Sequence, residues 1–246
     1  MASLEKTMTE LRSGDARHLP SSADADGTDI FPDRHRLLVV FANRATADEW
    51  WRAVSTSPHA AHVKRSSPQF YSYDAVRYNL LTFFQGDARF DPLAGQFRGR
   101  MWFNVMPNSD IPGISVIPPV QITDHISGNW FYIRSASNHA LHWYYNSAHS
   151  TRFNISHRRG TKIRVVIRDM PAGTIMVASD LVTLQIGAEA HIDVQVSGHL
   201  GLTGGHPPVF LFGDLENGKF SASADDALVY VGTDSPSSPR ERWELA

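Results

Sequence analysis

The stretch NWFYIRSASNHALHWYYN, residues 129–146, decides how the C-terminal half of the chain is interpreted. Two runs rich in aromatic and branched side chains flank a short segment of small and polar residues, a pattern typical of two antiparallel strands joined by a turn. Successive side chains of a strand point to opposite faces. Alternation therefore predicts one buried face, which carries Phe131, Ile133, Leu141, Trp143 and Tyr145.

The opposite face of this predicted hairpin is the candidate binding site. Its six side chains are Trp130, Tyr132, Arg134, His142, Tyr144 and Asn146. Flat rings beside hydrogen-bonding groups suit a glycan, because the C–H faces of sugars lie on aromatic rings while their hydroxyls need polar partners. The alternative is that other strands cover both faces, in which case the Tyr and His side chains would be satisfied inside the fold.

Further short strands follow at intervals of roughly ten residues. The candidates are RFNIS, TKIRVVIR, TIMVA, LVTLQI, HIDVQV, VFLF, KFSAS and ALVYV. Alternation in two of them gives the inward residues Ile163, Val165 and Ile167 in the first, and Ile192, Val194 and Val196 in the second. Many short strands at such spacing predict a closed or sandwiched antiparallel β-rich domain over residues 125–232.

The preceding residues, 30–120, read as a small α+β segment, so the predicted fold class is α+β leading into mainly β. HRLLVVFAN predicts a strand and RATADEWWRAVSTSP a helix that ends before Pro58. Thr46 and Glu49 have the spacing of a capping box. Helical spacing puts four apolar residues on one face, which favours core packing over a ligand platform: Ala47, Trp50, Trp51 and Val54.

The two ends of the chain are poor in apolar periodicity. Residues 1–29 mix Ser, Asp, Ala, Thr and Gly, and residues 233–246 include DSPSSPRERWELA. Segments with so little apolar surface to bury predict a flexible leader and a polar tail. On this basis we expect residues 1–29 to be dispensable for folding.

Composition narrows the classes of function. With 23 Lys and Arg against 25 Asp and Glu, the formal charge of −2 makes nucleic acid an improbable partner and gives no attraction to an anionic membrane. The absence of cysteine excludes thiolate catalysis and Cys-based zinc sites. No apolar run has the length of a membrane span or of a secretory signal, so we expect a cytoplasmic protein without a membrane partner.

Three units resemble the recurring hairpins of β-trefoil proteins, including the ricin-type lectins and the fascin-like group. They are NWFYIRSASNHALHW, GTIMVASDLVTLQI and LENGKFSASADDALVYV, each a strand, a small-residue turn and a second strand. The Gln-x-Trp signature of the trefoil lectins is absent, so the resemblance implies the fold and no inherited sugar site. Around ADEWWRAVSTS, SPQFY and DHISGNWFYIRS, the chain is also similar to uncharacterised proteins of mushroom-forming fungi.

The sequence carries no motif of catalysis. It lacks the nucleophile motif G-x-S-x-G and the phosphate-binding glycine loops. Four histidines, His139, His142, His149 and His157, lie close in sequence without the partners of common zinc patterns, so we expect neither metal nor cofactor. We therefore expect a non-catalytic, lectin-like binding module for a glycan, with a protein-interaction module that uses the same β surface as one alternative. The other alternative is a hydrolase of unrecognised type that uses His191 and Asp193, which project to the same side of a strand.

The charges are unevenly distributed along the C-terminal half. Residues 152–168 contain six Lys or Arg and no acid, whereas residues 169–226 contain eight acids and one lysine. Two interpretations are open. The basic stretch binds a phosphate-bearing partner, or the two halves neutralise each other across neighbouring strands.

Overall fold

The computed structural model describes residues 7–13, 36–73, 95–106, 122–147, 151–203, 205–222, 228–231 and 241–246. The chain divides into two compact units, Met1–Asp124 and His125–Ala246, and the division falls between the predicted segments. The described secondary structure is mostly β, with one α-helix.

The N-terminal unit is built on a five-stranded sheet in the order β3-β4-β1-β2-β5. Its strands are β1 (Thr7–Ser13), β2 (Arg36–Phe41), β3 (Val63–Ser67), β4 (Phe70–Tyr73) and β5 (Met101–Met106). Strand β1 pairs parallel with β4 and antiparallel with β2. The prediction of a flexible leader over 1–29 is therefore wrong for residues 7–13, which supply a central strand, and its other residues lie outside the described part of the chain. Pairing with distant strands orders a segment that carries little local signal.

The helix α1 (Arg44–Ser55) packs against this sheet as its pattern predicts. Ala47, Trp50 and Val54 are buried with the inward side chains of β2, and Trp51 packs partly buried at the margin. The predicted capping box is wrong, because the helix begins one turn earlier, after Asn43. The Asn43 side-chain oxygen accepts the backbone N–H of Thr46 at 2.9 Å.

Replacing Asn43 by alanine tests this cap. Loss of the side chain that accepts the Thr46 N–H is expected to destabilise the protein by about 1 kcal/mol, measured as the urea midpoint followed by tryptophan fluorescence. The matched control is Asn43→Asp, which keeps an acceptor at the same place and should stay within a few tenths of a kcal/mol of the parent. Equal destabilisation by both substitutions would contradict the capping role.

The C-terminal unit contains eleven of the described strands. They are β6 (Trp130–Ser135), β7 (His142–Tyr145), β8 (Phe153–Ser156), β9 (Lys162–Ile167), β10 (Leu181–Ile186), β11 (Ala190–Val194), β12 (Leu200–Thr203), β13 (Phe210–Leu211), β14 (Phe220–Ser221), β15 (Tyr230–Val231) and β16 (Trp243–Leu245). The main sheet has the order β12-β11-β10-β9-β6-β7-β8, with β13 paired to β10 and β16 to β6. All of these pairings are antiparallel, as predicted.

Residues 228–231 bring the two ends of this sheet together. The Val229 N–H donates to the Phe153 carbonyl of β8, and the Leu200 N–H of β12 donates to the Val229 carbonyl, both at 2.8 Å. The sheet thereby nearly closes on itself, which leaves few backbone groups unpaired at its edges. One apolar core lies inside it, built by alternation: Phe131, Ile133, Ile163, Val165 and Ile167 are buried as predicted.

Four local predictions in this unit are corrected. TIMVA forms no strand, since Ile175 makes only an isolated bridge to Ile126. Val194 and Val196 are not buried as predicted, because β11 ends at Val194 and the chain turns after it, which leaves Val194 37% exposed and Val196 fully exposed. The Gly-rich segment after Ser197, which is absent from the strand candidates given above, contains β12.

The fourth correction concerns the predicted polar tail over 233–246. Within it, β16 pairs with β6 and buries Trp243 and Leu245 in the core, while residues 233–240 lie outside the described part of the chain. An apolar residue at every second position is the pattern of a half-buried strand, even when the strand is only three residues long. The β-rich unit therefore extends to the end of the chain, beyond the predicted boundary at 232.

Candidate functional site

The predicted hairpin forms, and its two faces differ as expected. Arg134 lies opposite His142 in the pairing of β6 with β7. Phe131, Ile133 and Trp143 are buried, whereas Trp130 is 45% exposed. The two strands then diverge: β6 continues beside β9 and β7 beside β8. The six candidate side chains therefore do not share one two-stranded surface.

Arg134 and His142 occupy the end of the hairpin nearest the turn. Glu244 of β16 lies opposite Arg134 on the other side of β6, and the Arg134 Nε donates to its carboxylate at 2.7 Å. The His139 Nε2 is 3.4 Å from the same carboxylate. The charge of Arg134 is therefore already compensated. The His142 Nδ1 lies 2.9 Å from the Ala140 carbonyl oxygen, which orients the imidazole ring.

Tyr132 is enclosed by three neighbours. The His142 ring meets it edge to face at a centroid distance of 6.0 Å. The Lys162 Nζ lies 5.6 Å from the centroid of the Tyr132 ring, in cation–π contact. Gly160 packs against the ring so closely that a Cβ there would lie 2.8 Å from the Tyr132 Cδ1. Only a residue without a side chain permits this approach, so Tyr132 has little ring surface left for a ligand.

Tyr144 and Asn146 lie further along β7. Arg159 donates from Nη1 to the Tyr144 hydroxyl at 3.1 Å, and its guanidinium carbon lies 5.9 Å from the ring centroid. This hydrogen bond raises the pKa of Arg159, which is charged at any physiological pH. Asn146 is half-buried and has interactions of its own.

Trp130 begins a continuous line of outward side chains across five strands. Strand register places Trp130 opposite Arg164, Arg164 opposite Gln185, Gln185 opposite His191 and His191 opposite Thr203. Residues directly opposite in antiparallel strands project from the same face. We call Trp130, Arg164, Gln185, His191 and Thr203 the cross-strand row. At about 4.8 Å per strand it is about 19 Å long.

Four cations of the basic stretch are not neutralised across neighbouring strands. Among the described residues, no carboxylate lies within 4.0 Å of the four cations Arg158, Arg159, Lys162 and Arg164. The register explains this, because β9 places Lys162 opposite Tyr132, and Arg164 between Trp130 and Gln185. The described acids that follow in sequence make no ion pair with them, so the neutralisation hypothesis is wrong for these four residues within the described part of the chain.

The alternative dyad of His191 and Asp193 is not formed. An Asp193 carboxylate oxygen accepts the backbone N–H of Val194 at 2.7 Å. The His191 Nδ1 is buried and has no hydrogen-bond partner among the described residues. Within the same ranges, no three His, Asp or Glu side chains are grouped so as to hold a metal ion, and His149 lies outside them.

A second cluster of charges lies in the N-terminal unit, beside α1. Buried Asp48 accepts from the Arg44 Nε at 2.7 Å and lies 3.4 Å from Arg65, whose other terminal nitrogen is 2.8 Å from Asp124. Burial raises the pKa of Asp48 and also that of the neighbouring Tyr71. Two cations and two carboxylates compensate one another here, so the cluster has a structural role.

Several residues of the site were outside the six predicted from the hairpin. Arg159 and Gly160 come from the connection between β8 and β9, Gln185 from β10 and Glu244 from β16, which makes three different segments. The basic stretch was the one signal for Arg159, whereas Gln185 and Glu244 are brought to the site by strand register, which local sequence does not encode.

No helix in the part of the chain that the structure describes is long and apolar enough to cross a membrane. Comparison with protein-family models and with curated proteins finds no match to this chain.

Proposed function

We propose that the C-terminal unit is a non-catalytic, lectin-like module that binds a glycan on its outward face. The observation that supports this most directly is the exposed ring of Trp130, 45% accessible on a strand whose inward side chains are buried. An exposed tryptophan ring offers the flat apolar surface on which the C–H face of a sugar ring stacks. Beside it, the cross-strand row offers hydrogen-bonding groups of the kind that sugar hydroxyls require.

The geometry changes the contributions we assign to the six predicted residues. Trp130 is the stacking surface, and His142 remains a polar neighbour. Tyr132 and Tyr144 act indirectly, because each holds a cation over or beside its ring. Arg134 is tied to Glu244. Gln185 and His191 join the proposed contact set through the cross-strand row.

We also propose a β-trefoil-like arrangement for this unit. The nearly closed antiparallel sheet supports it, as do two of the three repeated units, in which β6 pairs with β7 and β14 with β15. In the unit GTIMVASDLVTLQI only β10 forms, so the repeat is incomplete there. A cytoplasmic location stays a prediction from composition.

The substitution Trp130→Ala tests the proposed site. Binding to the best ligand from a glycan array is expected to fall at least about tenfold, the size of one lost stacking contact. The melting temperature should hardly change, because exposed side chains contribute little to stability. The control is Trp102→Ala, which removes an exposed tryptophan of the other unit and should leave binding intact.

Two results would contradict the proposal. One is an array that shows no saturable binding to any glycan, which would favour the protein-interaction or enzyme alternatives. The other is equal loss of binding in the Trp130 and Trp102 variants, which would place the ligand elsewhere.

A further inference from the structure

Four cations of the C-terminal unit without a carboxylate partner among the described residues lie close together in sequence, and one of them, Arg164, is opposite Trp130. Three other described cations of this unit have carboxylate partners: Arg134 with Glu244, Lys219 with Asp214 and Arg168 with Asp169. Arg158, Arg159, Lys162 and Arg164 do not, although they lie within seven consecutive residues. Like charges this close repel one another, so the arrangement costs free energy that an anion would relieve.

Three of these cations are held in position by the fold. The Arg164 Nε donates to the Gly128 carbonyl at 3.0 Å, and its terminal nitrogens make no hydrogen bond to any described residue. Lys162 is held over Tyr132, and Arg159 is hydrogen-bonded to Tyr144. A guanidinium oriented through its Nε presents its terminal nitrogens as a preformed fork for a planar or tetrahedral acid group.

The cation–π contacts also favour an acidic ligand over a neutral one. A neutral sugar that stacked on Tyr132 would have to displace Lys162 from the ring. An acid group instead binds the cation where it already is and leaves the aromatic contact in place. Lys162 and Arg164 project from the same face of β9, about 7 Å apart along the strand, and Arg164 lies directly opposite Trp130.

We infer that the glycan bound at this site is acidic, with a carboxylate or sulfate group on Lys162 and Arg164 and an adjacent sugar ring on Trp130. This inference rests on the proposed glycan-binding function. A glycan fits better than a single-stranded nucleic acid, because nucleic-acid grooves stack successive bases on several aromatic rings, and here the rings of Tyr132 and Tyr144 are engaged with cations. The neutral side chains Gln185 and Thr203 further along the row suit hydroxyls.

The test compares acidic and neutral tetrasaccharides by isothermal titration calorimetry on the full chain. The probes are a sulfated tetrasaccharide, tetragalacturonate, cellotetraose and chitotetraose, each at low and high sodium chloride. We expect the acidic probes to bind at least about tenfold more tightly, as one charge-assisted contact implies, and to weaken as salt screens the charges. Inorganic sulfate alone should not compete, because it lacks the ring that covers Trp130.

The variants are Lys162→Gln and Arg164→Lys, with Arg168→Gln as the matched control. Lys162→Gln should lose about tenfold in affinity for the acidic probes and leave affinity for neutral ones unchanged. Arg164→Lys keeps the charge and should retain part of the affinity. Arg168, which directly follows β9 and is paired with Asp169, should be replaceable without effect. Melting curves show whether each variant is folded. If a variant does not fold, the salt dependence of acidic-probe binding to the parent chain tests the inference in its place.

Each outcome has a distinct meaning. Equal binding of neutral and acidic probes, or no loss in Lys162→Gln, overturns the inference and leaves the glycan function standing. Failure of all four probes and of the array overturns both. Competition by a single-stranded oligonucleotide at equal affinity overturns the assignment of the ligand as a glycan.

Discussion

A chain that ends at Arg240 is expected to lose cooperative unfolding of its C-terminal unit. The deletion removes β16, whose Trp243 and Leu245 are 1% and 4% exposed in the core. It also removes the Trp243 Nε1 hydrogen bond to the Phe220 carbonyl, and the backbone bonds between Tyr132 and Ala246. Burial of one tryptophan alone contributes about 3–5 kcal/mol. Added to a buried leucine and a strand, this approaches the whole stability of a typical domain, about 5–15 kcal/mol.

Two point variants test whether β16 stabilises the unit through the buried Trp243 or through the outward-facing Glu244. Trp243→Ala is expected to destabilise by about 3–5 kcal/mol. Glu244→Gln lies on the outward side of the same strand, and its half-exposed ion pair with Arg134 should cost under about 1 kcal/mol. Calorimetry or urea unfolding measures the stability of the shortened chain and of both point variants. A shortened chain that melts like the parent would show that β16 is not part of the cooperative unit.

Strict alternation was the most reliable sequence signal. In β9, Ile163, Val165 and Ile167 are buried and Lys162 is exposed, as the period of two predicts. The same period separated the faces of the hairpin and gave Trp143 a core position and Trp130 an exposed one. Burying one face of a strand imposes this pattern on the residues themselves, so it can be recognised without knowing the partner strand.

Predictions failed where pairing with distant residues outweighs local composition. Residues 7–13 have no apolar alternation, yet β1 lies between β2 and β4. The alternating pattern of Ile192, Val194 and Val196 runs past β11, which ends at Val194 before the turn at Gly198. Trp243 and Leu245 lie in a segment that is otherwise rich in polar residues and proline, so composition alone did not indicate a strand. Each is a case of tertiary contacts overriding propensity.

The sequence predicts which types of residue form the candidate site, but not which side chains contact one another there. Aromatic and histidine side chains on one hairpin face indicated binding, and a basic stretch indicated charge. The local sequence of β6 does not reveal that Glu244 compensates Arg134, or that Lys162 comes to lie over Tyr132. These facts depend on which strands flank β6, a property of the topology of the whole unit.

Trp143→Ala is the second change expected to have a large effect. The Trp143 ring is 0% exposed and contacts the rings of Phe153, Phe220 and Trp243 at centroid distances of 6.3, 5.3 and 5.7 Å. Removing it leaves a cavity in the centre of the core, and we expect a loss of about 3–5 kcal/mol in the free energy of unfolding. Trp143→Phe should cost less, because it keeps a ring and removes an indole N–H that has no hydrogen-bond partner among the described residues.

The neighbouring Tyr144→Ala and the nearby His142→Ala are the controls for the outward face. Both residues are only partly buried, and each variant should cost under about 1 kcal/mol. Because Trp143 and Trp243 touch, the double variant of the two tryptophans should be less destabilised than the sum of the single changes. Urea unfolding of these five variants and of Trp243→Ala measures each of these differences in stability. If Tyr144→Ala destabilises the protein as much as Trp143→Ala, the outward side chains belong to the core, and a ligand site on this face is excluded, because a core side chain is not free to meet a ligand.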